Sequence, residues 1–176
     1  GNRINSLIMF PVSSISNIIA VYVAQNIGAG NISRAKQSIK QGTIMSVFLM
    51  IVGVLIILPF REQLVSLFSS DSEVIDLAVE YMFYIALALP FVAVFQIFLS
   101  TFQGSGDTKF SFLLAITRLW VLRLPLVWLS MKFTNLGPTG IWIAMLSSNV
   151  VAVLFGSFLF SKIDFQPKIK LEVQEN

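Results

Sequence analysis

Five long apolar runs divide the chain, at about 4–27, 41–60, 72–102, 109–132 and 138–160. A helix rises about 1.5 Å per residue, so roughly 20 residues cross a hydrocarbon core of about 30 Å. Each run meets that length, and none shows the strict alternation of a strand. The pattern predicts an all-α fold: a polytopic helical membrane bundle of about five transmembrane helices. Residues 1–161 form its membrane domain, and 162–176 a cytoplasmic tail.

Within the first run small polar residues surround Pro11, and Asn17 and Gln25 follow. Proline removes a backbone hydrogen bond, so a kink at Pro11 fits a helix facing protein or water on one side. Gly28 or Gly30 can end this helix in the left-handed conformation, and Asn31 or Ser33 can cap the next. Gly-Ala-Gly here is no phosphate loop, because no strand precedes it and no Lys-Ser/Thr follows. Pro59 ends or bends the second span, and Arg61 to Ser69 reads as a short interfacial helix. Ser70 to Glu73 reads as a capping box with Ser70 at the N-cap. The third span holds Pro90 and Gln96 and ends at a tight turn, Gln103 to Lys109, with Gly104, Gly106 and Asp107. Pro125 is expected to kink the fourth helix just past Arg123. The fifth carries Ser147, Ser148 and Asn149 near its centre. From Ser161 onward the chain is polar, with little reason to pack.

Composition narrows the picture. Of 176 residues, 56% are hydrophobic and 12% charged, against about 25% charged in soluble domains. There is no Cys and no His, which removes disulfides, thiol nucleophiles, imidazole bases and almost every zinc or haem site. No cofactor is expected. Acid–base chemistry needs titratable groups paired in one pocket, whereas the carboxylates here lie near the ends of the spans; an enzyme is not expected. The pI near 9.4 does not point to nucleic acid, since the basic residues are scattered between apolar runs. The chain opens on Gly1 with no positive n-region or cleavage site, so a signal peptide is not indicated and a fragment lacking its natural amino terminus is expected.

Charge sets an expected orientation. Arg34, Lys36, Lys40, Lys109, Lys162, Lys168 and Lys170 fall on one side, and Arg3, Arg61 and Lys132 on the other. The richer side is cytoplasmic by the positive-inside rule, which puts the carboxyl terminus inside.

The fourth run carries the expected chemistry. Arg118 and Arg123 each lie nine residues from the nearer flanking lysine, about 13.5 Å along a helix. Each arginine at that depth costs about 2.5–3.5 kcal/mol on insertion scales. Snorkelling along the apolar stems is the alternative. In an α-helix, however, five residues span about 140°, so one lipid-facing stripe cannot hold both. At least one is expected to face the interior, with a carbonyl, Gln96, Asn149, water or a group outside this sequence as partner. Asn17, Gln96, Arg118, Arg123 and Asn149 are the candidates for a water-filled substrate pathway, with Pro11, Pro90 and Pro125 as candidate kinks.

VAQNIGAGNISRAK, LFSSDSEVIDLAVEY, FQGSGDTK, TRLWVLRLPL and LGPTGIWIA, in this order and spacing, resemble the multidrug and toxic compound extrusion (MATE) transporters. In that resemblance Gln25, Gly28, Gly30, Gly104, Gly106 and Asp107 belong to cytoplasmic loop motifs. It implies the last five of twelve helices, a carboxyl-terminal lobe without its first helix, in a plasma-membrane antiporter. Such an antiporter expels organic, often cationic, drug-like compounds in exchange for H+ or Na+ by alternating access between two lobes. The implied partners are the lipid bilayer, the substrate, the coupling ion and an amino-terminal lobe; the implied metal site is none. Some members carry an acidic residue in the middle of the third helix. Here that stretch reads LPFVAVFQIF, so the coupling carboxylate is expected in the other lobe. A lipid-linked oligosaccharide flippase of related architecture is the alternative.

Overall fold

The computed structural model describes residues 2–67 and 71–165, with side chains left undescribed for 2–9 and 11. Among these residues the chain is helical, without strands. Helix α1 is Asn2–Gly28, α2 is Ile32–Ile57 and α3 is Arg61–Ser66, joined to α2 through a 3-10 turn at Leu58–Phe60. Helix α4 is Ser72–Gly104, and α5 is Thr108–Ile116. A π-helical segment, Thr117–Arg123, leads into α6, Leu124–Phe133, and α7 is Pro138–Phe160. Four stretches among the described residues are long and apolar enough to cross a membrane: Ile32–Ser66, Ser72–Gly104, Thr108–Phe133 and Pro138–Phe160. The expected first span falls on α1.

Helix α4 is the centre post. It packs against α1 and α2 on one flank and against α5 and α7 on the other, while α6 and the π segment lie on α7. The buried stripe of α2, Ala35, Ile39, Gly42, Ser46 and Met50, repeats every three or four residues, as one helical face must. On α7 the stripe is mostly small: Gly140, Ala144, Ser148, Ala152 and Gly156. Small residues let backbones approach where lipid supplies no hydrophobic drive between helices. A Cβ on Gly156 would stand 2.6 Å from the Phe98 ring. Outward, large apolar side chains such as Phe48, Leu55, Trp120 and Leu154 are exposed, the pattern of a surface that meets lipid or another apolar partner.

Several expectations change here. The N-cap of α4 is Asp71, whose side chain accepts from Glu73 N–H at 3.0 Å; Ser70 itself lies outside the described residues. A carboxylate one position closer to the helix takes the capping bond and also complements the positive helix end. The short helix expected over 61–69 is present as α3, which winds on from α2 through the 3-10 turn at Pro59; residues 68–69 lie outside the described set. Arg61 sits over the Phe83 ring at 5.5 Å, which ties α3 to α4. The tail does pack at its start. Phe165 lies 5.8 Å from the Phe160 ring and under Lys36 Nζ at 5.3 Å, and Ile163 joins the α4–α7 core. Its two apolar side chains find a seat that its average polarity hides. Residues 166–176 lie outside the described set.

Candidate functional site

Two cavities flank α4, and each gathers residues far apart in sequence. On the α1 flank, a cavity of about 270 Å³ is lined by Ser13, Ser16, Asn17, Gln96, Ser100 and Gln103. Asn17, itself exposed, and Gln96 therefore line one cavity from facing helices, in a wall of neutral polar groups. Ser16 is buried, and its Oγ has no hydrogen-bond partner among the described residues. Buried polar groups are normally satisfied, so Ser16 Oγ is a point at which this cavity can take a polar partner.

On the other flank, a cavity of about 260 Å³ lies between α4, the π segment and α7. Tyr81, Tyr84 and Trp142 wall it, with Arg123 and Asn149 supplying polarity. The Trp142 ring lies 5.9 Å from Tyr81 and 6.0 Å from Tyr84, tilted by 54° and 37°. Arg123 Nε donates to Ser148 Oγ at 3.4 Å, and Ser148 Oγ donates to its own helix at Met145 O, 2.8 Å. Asn149 is 3% exposed. Its Nδ2 donates to Met145 O at 3.0 Å, and its Oδ1 has no partner among the described residues.

Pro125 explains how the arginines reach these places. It has no N–H to offer the carbonyl one turn back, and its ring crowds that carbonyl. The turns just before it are wound with longer hydrogen bonds, as in Leu124 N–H to Leu119 O. In such winding residues five apart come round to the same side of the helix, so the 140° separation expected of an α-helix does not apply. Arg118 lies over the Phe95 ring of α4 at 3.8 Å, a cation–π contact rather than a bond to Gln96 or Asn149. Its Nε is buried with no hydrogen-bond partner among the described residues. The partner found for Arg123 is Ser148, and Gln96 belongs to the opposite flank.

Pro90 lies inside α4, and the α1 helix runs through position 11. At the loops, Gly30 and Gly106 have φ of 74° and 75°, values that glycine adopts without strain. Gly28 is helical with open space around it, and Gln25 O accepts from Ala29 N. Gly104 has a role in packing: a Cβ there would strike the Ala20 carbonyl of α1. Asp107 is buried beside Ser105 Oγ, 3.5 Å from its Oδ2. At the opposite end Thr139 Oγ1 donates to Glu80 Oε1 at 2.8 Å, joining the starts of α7 and α4.

Sequence reasoning did not single out Tyr81, Tyr84 or Trp142, and it named Ser148 only as a polar residue near the centre of the fifth span. The available signal was spacing: residues three apart, such as 81 and 84, share a helix face.

A family model described as MatE matches residues 1–129. A probable multidrug resistance protein NorM of Thermotoga maritima is 29% identical over 147 residues, covering 84% of this chain and 32% of that protein. A FAD transporter of Shewanella oneidensis is 27% identical over 167 residues, covering 93% and 36%. Among solved structures, the MATE transporter ClbM in complex with Rb+ superimposes with a TM-score of 0.85 at 27% identity, over 90% of this chain and 37% of that one. The chain thus spans about a third of the length of the curated relatives it matches.

Proposed function

Because the chain belongs to the MatE family, we propose that it is the carboxyl-terminal lobe, without its first helix, of a multidrug efflux antiporter. It is a multi-pass membrane protein from a family of transporters, not enzymes. The observation that carries the reading is the match to a MATE transporter fold over 90% of the chain, with polar residues gathered at membrane depth into two cavities beside α4. Inverted or paired lobes rocking about a central site give alternating access. The lobe supplied here presents one wall of that site, and Asn17, Gln96, Arg118, Arg123 and Asn149 contribute to the pathway. Pro11, Pro90 and Pro125 give the helices their points of adjustment.

The exported compounds are drug-like organic molecules. The relatives' names span multidrug resistance and FAD transport, which supports an organic substrate and leaves its charge to be read from the site. These names favour drug export over a lipid-linked sugar flippase. Exchange is against H+ or Na+, with the coupling carboxylate on the amino-terminal lobe, since residues 89–98 carry none. The carboxyl terminus is cytoplasmic, on the side rich in lysine and arginine.

The test is transport by the complete protein in proteoliposomes. Export of ethidium or a fluoroquinolone should require an imposed H+ or Na+ gradient and collapse with an ionophore. Coupling lost only on neutralising Glu80 or Asp107 would contradict the placement of the coupling group.

A further inference from the structure

Resting on that transporter reading for its setting, we infer that the cavity between α4 and α7 binds aromatic anions, flat ring systems bearing a carboxylate, sulfonate or phosphate, in preference to organic cations. Aromatic side chains wall it. Trp142 is tilted against both Tyr81 and Tyr84 rather than stacked on either, and ring faces accept a flat partner at about 4.5–7 Å between centroids. The volume, about 260 Å³, approaches the lower end of small-molecule pockets, roughly 300 Å³.

The charge is of one sign. Arg123 is the charged residue lining this cavity among the described residues, and no Asp or Glu lines it. Its bond to Ser148, at 3.4 Å, is longer than the usual N–H···O distance. A guanidinium offers five N–H donors in a planar fork that matches a carboxylate or phosphate. The nearest carboxylate in sequence, Glu80, accepts from Thr139 and lines a neighbouring cavity with Arg61 and Asp76. Arg118, one π turn away, adds a second positive charge and is held by the Phe95 ring. Among the described residues, a cation entering here meets the Arg123 guanidinium and no carboxylate; an anion offsets the burial of Arg123. Asn149 Oδ1, buried and without a partner among the described residues, accepts a hydroxyl of the same ligand.

The test compares two xanthene dyes with one ring system, anionic fluorescein and a cationic rhodamine, binding to the detergent-purified complete transporter by fluorescence anisotropy. Fluorescein should bind at least about tenfold more tightly, since charge-assisted bonds contribute more than a factor of ten. Arg123→Gln should remove that preference, and Arg123→Lys should keep most of it. Should Arg123→Gln fail to fold, Asn149→Asp serves instead: a carboxylate in the buried wall beside Arg123 should weaken fluorescein and not the rhodamine. Equal affinities, a preference for the rhodamine, or fluorescein binding untouched by Arg123→Gln or Asn149→Asp would overturn the inference. Fluorescein bound as expected by a protein that exports nothing would instead overturn the proposed transport function.

Discussion

Helix α4 separates two cavities of nearly equal volume, about 270 Å³ toward α1 and about 260 Å³ toward α7. They meet the same difficulty, polarity at membrane depth, with different chemistry. Toward α1 the groups are hydroxyls and amides. Neutral groups of this kind can fall back on their own helix, as Ser14 does on Phe10 O and Thr43 on Ile39 O. Water completes the rest at modest cost. Toward α7 the cavity's polarity comes from Arg123 and Asn149, with Arg118 nearby on the same π segment, and the guanidiniums have no such local escape. Arg118 is held by a ring; Arg123 has one long bond to a hydroxyl. The comparison teaches that stability and function part company on this flank. The neutral cavity can be satisfied by water and by its own helices, whereas the charged one retains a cost that only a ligand or another segment relieves.

The largest effect is expected where the neutral flank is tightest. Gly104→Leu drives a side chain into the Ala20 backbone and should cost about 3 kcal/mol, the upper range for overpacking, read as a lower unfolding midpoint in detergent. Gly28→Ala, in open space, should leave that midpoint unchanged or slightly raised.

The charged flank should respond with the opposite sign. Arg123→Met removes an insertion cost of about 2.5–3.5 kcal/mol and loses a bond of roughly 0.6, so stability should rise by about 2 kcal/mol. Arg118→Met also forfeits a cation–π contact of up to about 2 kcal/mol, so its gain should be nearer 1. The order of the two, measured by unfolding in mixed micelles, decides the comparison. Equal losses would mean that both arginines are structural ties. The smallest effect is Ser148→Ala, expected to change stability by less than about 0.6 kcal/mol.

Much of the scaffold was legible in the sequence. Apolar length announced the helices, and Gly30 and Gly106 marked turns whose φ values only glycine adopts freely. The placing of Asn17 and Gln96 around one cavity was not legible, since facing positions on separate helices are set by packing and not by spacing along one. The placement of Arg118 and Arg123 depended on winding: a π segment before Pro125 changes which residues share a face. Tyr81, Tyr84 and Trp142 were hidden because an aromatic residue in an apolar run reads the same whether it faces lipid or a cavity. Phe165 was hidden by polar neighbours, and its seat against Phe160 and Lys36 is a tertiary fact.

The central claim is that the α4–α7 cavity is a wet part of the transport pathway. These 176 residues contain no cysteine, so once any cysteine elsewhere in the complete protein is replaced, single cysteines at positions 123 and 149 can be probed in membranes with a membrane-impermeant maleimide. Both should react from one side at least, and excess fluorescein should slow the reaction at position 149. Failure of both to react from either side, in protein that folds normally, would contradict the account.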